Sequence, residues 1–168
     1  MNAQALGSRS SRLFNTPLEC GLRLVIILDA ISGEADLQRL VSYDYLLVHS
    51  GDVEDGPASL HPAVPFRGTE LLVKRELVRQ SLDYMFAREL LEKRMSSSGI
   101  TYCGTSLTQA FARLLKSGYA SELKVRAEWL SRRFGSMSDS QLTDFMSANV
   151  GRWGAEFERL TSLRTLEL

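Results

Sequence analysis

Reactive and metal-ligating residues are scarce in this sequence. It has two cysteines, Cys20 and Cys103, and two histidines, His49 and His61. No CxxC pair is present, so a zinc ribbon or a dithiol redox centre is excluded, and the cysteines read as two reduced, buried thiols in a cytoplasmic protein. Phosphate-cradling loops are missing: there is no GxxxxGK[ST], and no GxGxxG follows a strand. A basic surplus is missing as well, since 20 Lys and Arg face 20 Asp and Glu. Autonomous duplex binding draws most of its affinity from neutralising phosphates, so this balance disfavours it and leaves room only for a local patch. Long apolar runs are absent; the strongest, Leu22 to Leu28, is far too short to cross a bilayer. The opening residues lack the apolar core of a secretory signal.

What remains is a chain of 168 residues, 44% of them hydrophobic, enough to bury a substantial core. Residues 1–12 read as a flexible, slightly basic tail, and Leu13-Phe14 as the first apolar anchor. Thr16-Pro17-Leu18-Glu19 is a helix start: Thr16 caps, Pro17 fits the first helical position and Glu19 completes a capping box. The helix from Pro17 to Ile31 is apolar almost all round, interrupted by Glu19, Arg23 and Asp29, which marks it as the central core helix. Gly33 ends it. Asp36 caps a second helix, Leu37 to about His49, whose apolar face also carries Asp44. A carboxylate there needs a donor, either a structural hydrogen bond or an arginine.

The stretch from Thr69 to Gly104 organises the chain. On a helical wheel Leu71, Val78, Leu82, Met85 and Phe86 share one face. Val73, Leu77, Tyr84 and Leu91 gather on a second, and Glu76, Gln80, Asp83 and Ala87 form a narrow polar strip. Two apolar faces need two covers: the chain's own core, and either its C-terminal half or a partner. The period then turns strand-like through Glu92-Lys93-Arg94-Met95. Ser96-Ser97-Ser98-Gly99 makes a turn, and Ile100-Thr101-Tyr102-Cys103 suits a return strand. The expected fold is mainly α with a small β-hairpin: a winged-helix domain over residues 13–105, followed by a helical C-terminal region, 106–168, packed on it. In that second half Thr105 or Ser106 starts a helix with Gln109 as box partner. Gly118 breaks or kinks its continuation, Gly135 closes it, Ser138 to Gln141 cap another helix, and Gly151-Arg152-Trp153-Gly154 interrupts the end.

Residues 50–68 form a long loop holding three of the four prolines. Loops of this length are functional or disordered, and Leu60, Val64 and Phe66 suggest that this one packs down. His49, Asp52 and His61, with Glu54 and Asp55 nearby, are the only cluster that tempts a metal or acid–base reading. Their spacing fits no zinc motif, and Pro62 after His61 favours a turn, so a loop-folding hydrogen-bond role is preferred. No catalytic set, cofactor site or metal site is therefore assigned. Lys74, Arg75 and Arg79 lie where a winged helix would touch DNA, but Glu70, Glu76 and Asp83 alternate with them, as on a solvated, ion-paired face. Val73, Leu77, Tyr84, Lys93 and Arg94 are the candidate partner-binding residues.

Six strings carry a family resemblance: Leu13 to Leu28, Leu40 to Asp52 (ending His-Ser-Gly-Asp), Gly56 to Arg67 (with Ser-Leu-His-Pro), Glu70 to Leu77, Gly99 to Cys103 and Gly151 to Glu158. Together they resemble the middle component, second type, of bacterial ABC-three-component defence systems, called the middle subunit in Lamassu. The resemblance implies a non-enzymatic winged-helix adaptor of anti-phage or anti-plasmid defence. It would bridge an SMC/Rad50-like ABC ATPase and an effector, commonly a nuclease, restraining the effector until foreign DNA is sensed. DNA would be engaged through the complex. A stand-alone winged-helix DNA-binding regulator is the alternative, and a metal-dependent enzyme at His49, Asp52 and His61 is the third reading.

Overall fold

A computed structural model describes residues 16–63 and 67–166, with the side chains of 67–70, 72 and 154–166 left aside. The tail read over residues 1–12, the Leu13-Phe14 anchor, and Val64 and Phe66 lie outside the described residues. Helix α1 spans Pro17–Ala30 and starts as its residues dictate: Thr16 Oγ1 accepts the Glu19 N–H at 3.2 Å and proline occupies the first turn. The Glu19 carboxylate does not close the box; it turns to Arg23 instead. Leu24, Val25, Ile26, Ile27 and Leu28 are all buried, because α1 is packed against helices on several sides. Each such aliphatic side chain contributes roughly 1.5–3 kcal/mol on burial.

After α1 the chain turns through Gly33, whose φ of +96° is open to glycine without strain, and forms a short strand, β1 (Glu34–Asp36). Asp36 then caps α2 (Leu37–Val48), accepting the Arg39 N–H at 2.7 Å. Helix α3 (Arg67–Phe86) follows the loop, and a hairpin of β2 (Glu92–Ser96) and β3 (Gly99–Cys103) follows α3. Gly99 takes the positive φ that the turn requires, +125°. The sheet order is β1-β3-β2, all antiparallel, so the expected hairpin gains a third strand on its far side. The architecture is thus mainly helical with a small three-stranded antiparallel sheet. Among the described residues no helix is long and apolar enough to cross a membrane.

The second half departs from expectation at three points. Helix α4 (Ser106–Leu114) is capped by Thr105, and Thr108, not Gln109, completes the box by accepting the Thr105 N–H at 2.6 Å. The break before α5 (Gly118–Phe134) falls at Leu115 to Ser117, where the Ser117 hydroxyl caps the new helix. Finally, α6 (Asp139–Leu166), begun by a reciprocal Ser138–Gln141 box, runs unbroken through Gly151 and Gly154. A helical glycine costs about 1 kcal/mol. That is less than the burial of Trp153, which stacks on Tyr45 at 5.6 Å and meets Phe145 edge-on. The apolar residues of α5 and α6, including Leu123, Leu130, Phe134, Leu142 and Met146, join those of α1 to α3 in one core.

Trp153→Ala is expected to lower stability by about 3–5 kcal/mol, read as the midpoint of urea unfolding. An unchanged midpoint would mean that this turn of α6 is not docked.

Candidate functional site

Helix α3 and the hairpin present the candidate surface, and a buried ionic cluster holds α3 in place. Asp44 of α2 is fully buried. Its Oδ1 accepts the Arg23 Nε–H at 2.6 Å, and its Oδ2 accepts from Arg23 at 3.2 Å and from Lys74 Nζ at 2.8 Å. One carboxylate therefore ties α1, α2 and α3 together. Burial alone would raise its pKa; the adjacent Arg23 and Lys74 outweigh burial and hold Asp44 well below the usual carboxylate range. Burial likewise opposes the charge on Arg23, and Asp44 reverses the effect and raises its pKa. Cys20, on the same face of α1, has its thiol pushed up to about 12 by burial, with Asp44 adding to the shift.

The outer side of α3 looks different. Val78, Ser81, Leu82 and Met85 face the core, while Val73 is 68% exposed and Leu77 and Tyr84 are half-buried. Tyr84 lies beneath the Arg88 guanidinium, 3.4 Å from the ring centre. On the hairpin, Lys93 reaches Asp83 at 2.6 Å and sits over the Phe86 ring at 4.7 Å. Met95 pairs across the strands with Ile100 on the same face as Lys93, and Met95 is 84% exposed. The result is a continuous apolar strip of Phe86, the Lys93 stem, Met95 and Ile100. Arg94 points to the opposite face, 3.7 Å from Glu34.

The three cations read as possible DNA contacts do not converge. Lys74 is buried on Asp44. Arg75 donates to Gln38, and Arg79 is held by Glu76 and Asp83. The latter is the ion-paired face that the alternating charges suggest.

Residues 49–63 fold down on α2 and α5. Val48 O accepts the N–H groups of Leu60 and His61, and Arg126 of α5 donates twice to the Ala58 carbonyl, at 3.0 and 2.7 Å. Gly56 leaves no space for a side chain, since a Cβ would stand 2.1 Å from Ser50 O. The structure does bring His49 and His61 together, edge to face with ring centres 6.2 Å apart. Asp52 turns to the Tyr45 hydroxyl at 2.8 Å, and His61 Nε2 lies 2.8 Å from the Tyr119 hydroxyl. Among the described residues no group of three or more His, Cys, Asp or Glu side chains is arranged to hold a metal ion. Burial lowers the His61 pKa to about 4, helped by the positive charges of Arg23 and Lys74.

Sequence reasoning flagged Asp44 but not its partners. Arg23 is the one strong signal: an arginine inside an otherwise apolar helix requires a buried acceptor. Arg126 gave none, because its acceptor is a main-chain carbonyl 68 residues away.

Asp44→Asn leaves two buried cations facing a neutral amide, so stability is expected to fall by about 3–5 kcal/mol, measured by urea unfolding at pH 7. In the native chain the Asp44 contribution is complete above its unfolded pKa of about 3.9 and is lost as pH falls toward the depressed folded value. His61 acts earlier. The unfolded chain takes up its proton near pH 6.5 and the folded chain only near 4, so stability falls with acid across that window. His61→Gln should give a shallower loss between pH 6.5 and 4 than the native chain; equal slopes would mean that His61 is not buried as described.

No curated protein and no solved structure matches the chain at a significant level. A family model, the ABC-three component (ABC-3C) system Middle Component 2, matches residues 13–156. That span takes in the ionic cluster, the folded loop, α3, the hairpin and Trp153 alike, and on its strength the chain belongs to the Middle Component 2 family of ABC-three component systems.

Proposed function

We propose that this chain is a non-catalytic, cytoplasmic adaptor of an anti-phage or anti-plasmid complex, the Lamassu-type middle subunit. It bridges an SMC/Rad50-like ABC ATPase and an effector nuclease and restrains the effector until foreign DNA is sensed. The observation that carries the reading is family membership together with the uncovered apolar strip on α3 and the hairpin. Large exposed apolar side chains grouped on one face mark protein contact sites. The fold proposed for this unit is a winged helix. Its support is the order α1-β1-α2-α3-β2-β3, with β1 added beside β3 and the hairpin as the wing.

The alternative, a stand-alone DNA-binding regulator, has less support. Lys74 is spent on Asp44 and Arg79 on two carboxylates, and the net charge is zero. Phosphate contacts need free cations and give binding a steep salt dependence.

Co-expression with the products of its neighbouring genes, expected to be an ABC ATPase and an effector, should yield a stable complex. Met95→Glu with Ile100→Glu should weaken that complex by about tenfold or more, as expected for loss of central apolar contacts, without changing Tm. A monomer that ignores both proteins, or that shifts duplex DNA with a steep salt slope, would sink the adaptor reading.

A further inference from the structure

A groove runs along the outer edge of β1. Its wide end, about 610 Å3, lies between Glu34 and the α5–α6 turn at Ser136 to Asp139. A second, smaller cavity of about 80 Å3 lies beside it, between Asp36 and Thr143. Arg39 and Asp139 line both. Among the described residues β1 is hydrogen-bonded to β3 alone, so the other edge of Glu34 and the Asp36 N–H are a template for an added strand.

The charges select the occupant. Among the described lining residues Glu34, Asp36 and Asp139 stand against one cation, Arg39. Each nitrogen of Arg39 is engaged: it donates to Asp139 at 2.6 Å, to the Tyr43 hydroxyl at 2.7 Å and to Met137 O at 2.6 Å. Asp36 is occupied in capping α2. Among the described residues Glu34 has Arg94 alone, at 3.7 Å, and Asp139 remains 70% exposed. With Arg94 counted, three carboxylates face two arginines, so the groove as a whole keeps one surplus negative charge, and its exposed members are Glu34 and Asp139. A second copy pairing through its own β1 would oppose acid to acid, which is unfavourable across strands. Nucleic acid phosphates are repelled for the same reason.

We propose that this groove receives an extended segment of a partner protein, added as a fourth strand beside β1, with a lysine or arginine side chain seated between Glu34 and Asp139. The adaptor reading enters only in saying that the segment comes from one of the partner subunits. Backbone pairing supplies the affinity and the acidic pair supplies the choice of side chain.

The test uses the complex assembled from this chain with an ABC ATPase and an effector of the proposed system. Hydrogen exchange compares the free and bound chain, and a photo-crosslinking residue replaces Ser136. In the complex the amides of residues 34–36 should gain protection, and the crosslink should land on a partner peptide that contains lysine or arginine. Glu34→Lys should weaken the complex by about tenfold, as reversal of an interfacial charge does. Should Glu34→Lys also lower Tm, the exchange and crosslinking results decide. A complex that forms with no added protection at 34–36 and no crosslink from Ser136 overturns the groove proposal and leaves the adaptor reading standing. Absence of any complex overturns both.

Discussion

The fold depends on one buried carboxylate. Asp44 is wholly buried and binds two cations from two other helices. Three helices are thereby fixed at one point by directional contacts, whereas the surrounding Leu, Ile and Val side chains constrain only distance and volume. A buried ion pair of this kind is not a strong source of net stability, because taking the charges out of water nearly offsets their attraction. Its use is in register. A slip of α3 by one turn would strand Lys74 and leave Asp44 short of a donor. The apolar strip on the hairpin inherits its position from that register, because α3 leads into β2 within a few residues of Phe86.

Much of this was legible in the residues. The N-terminal caps at Thr16 and Asp36, the all-round apolar helix between Pro17 and Ala30, and the hairpin about Gly99 are local signals, and each is where the pattern puts it. Asp44 on an apolar face announced a missing donor, but helical spacing says nothing of residues 21 and 30 positions away. Strand β1 was illegible because three residues cannot show alternation; it forms only because Tyr102 and its neighbours offer an edge. The glycines flanking Arg152-Trp153 argued for a break, and tertiary burial of the indole overrode that local preference.

The candidate surface was half legible. Wheel geometry separated the core face of α3 from the outer one correctly at Val78, Leu82 and Met85, and Phe86 proved to belong to the exposed strip. Lys74 looked like a surface cation because charge alone does not reveal depth; its long stem carries the ammonium inward to Asp44. The His49–His61 approach was legible only as composition. The structure puts these rings beside aromatic and hydroxyl partners from α2 and α5, which makes the loop part of the packed body.

Arg126 grips that loop by a main-chain oxygen at Ala58. Such a grip is blind to the identity of residue 58, whose side chain faces solvent. Position 58 is thus free to drift while Arg126 and Gly56 are not, so in relatives of this chain variability and constraint should alternate within a few residues of one another along the same loop.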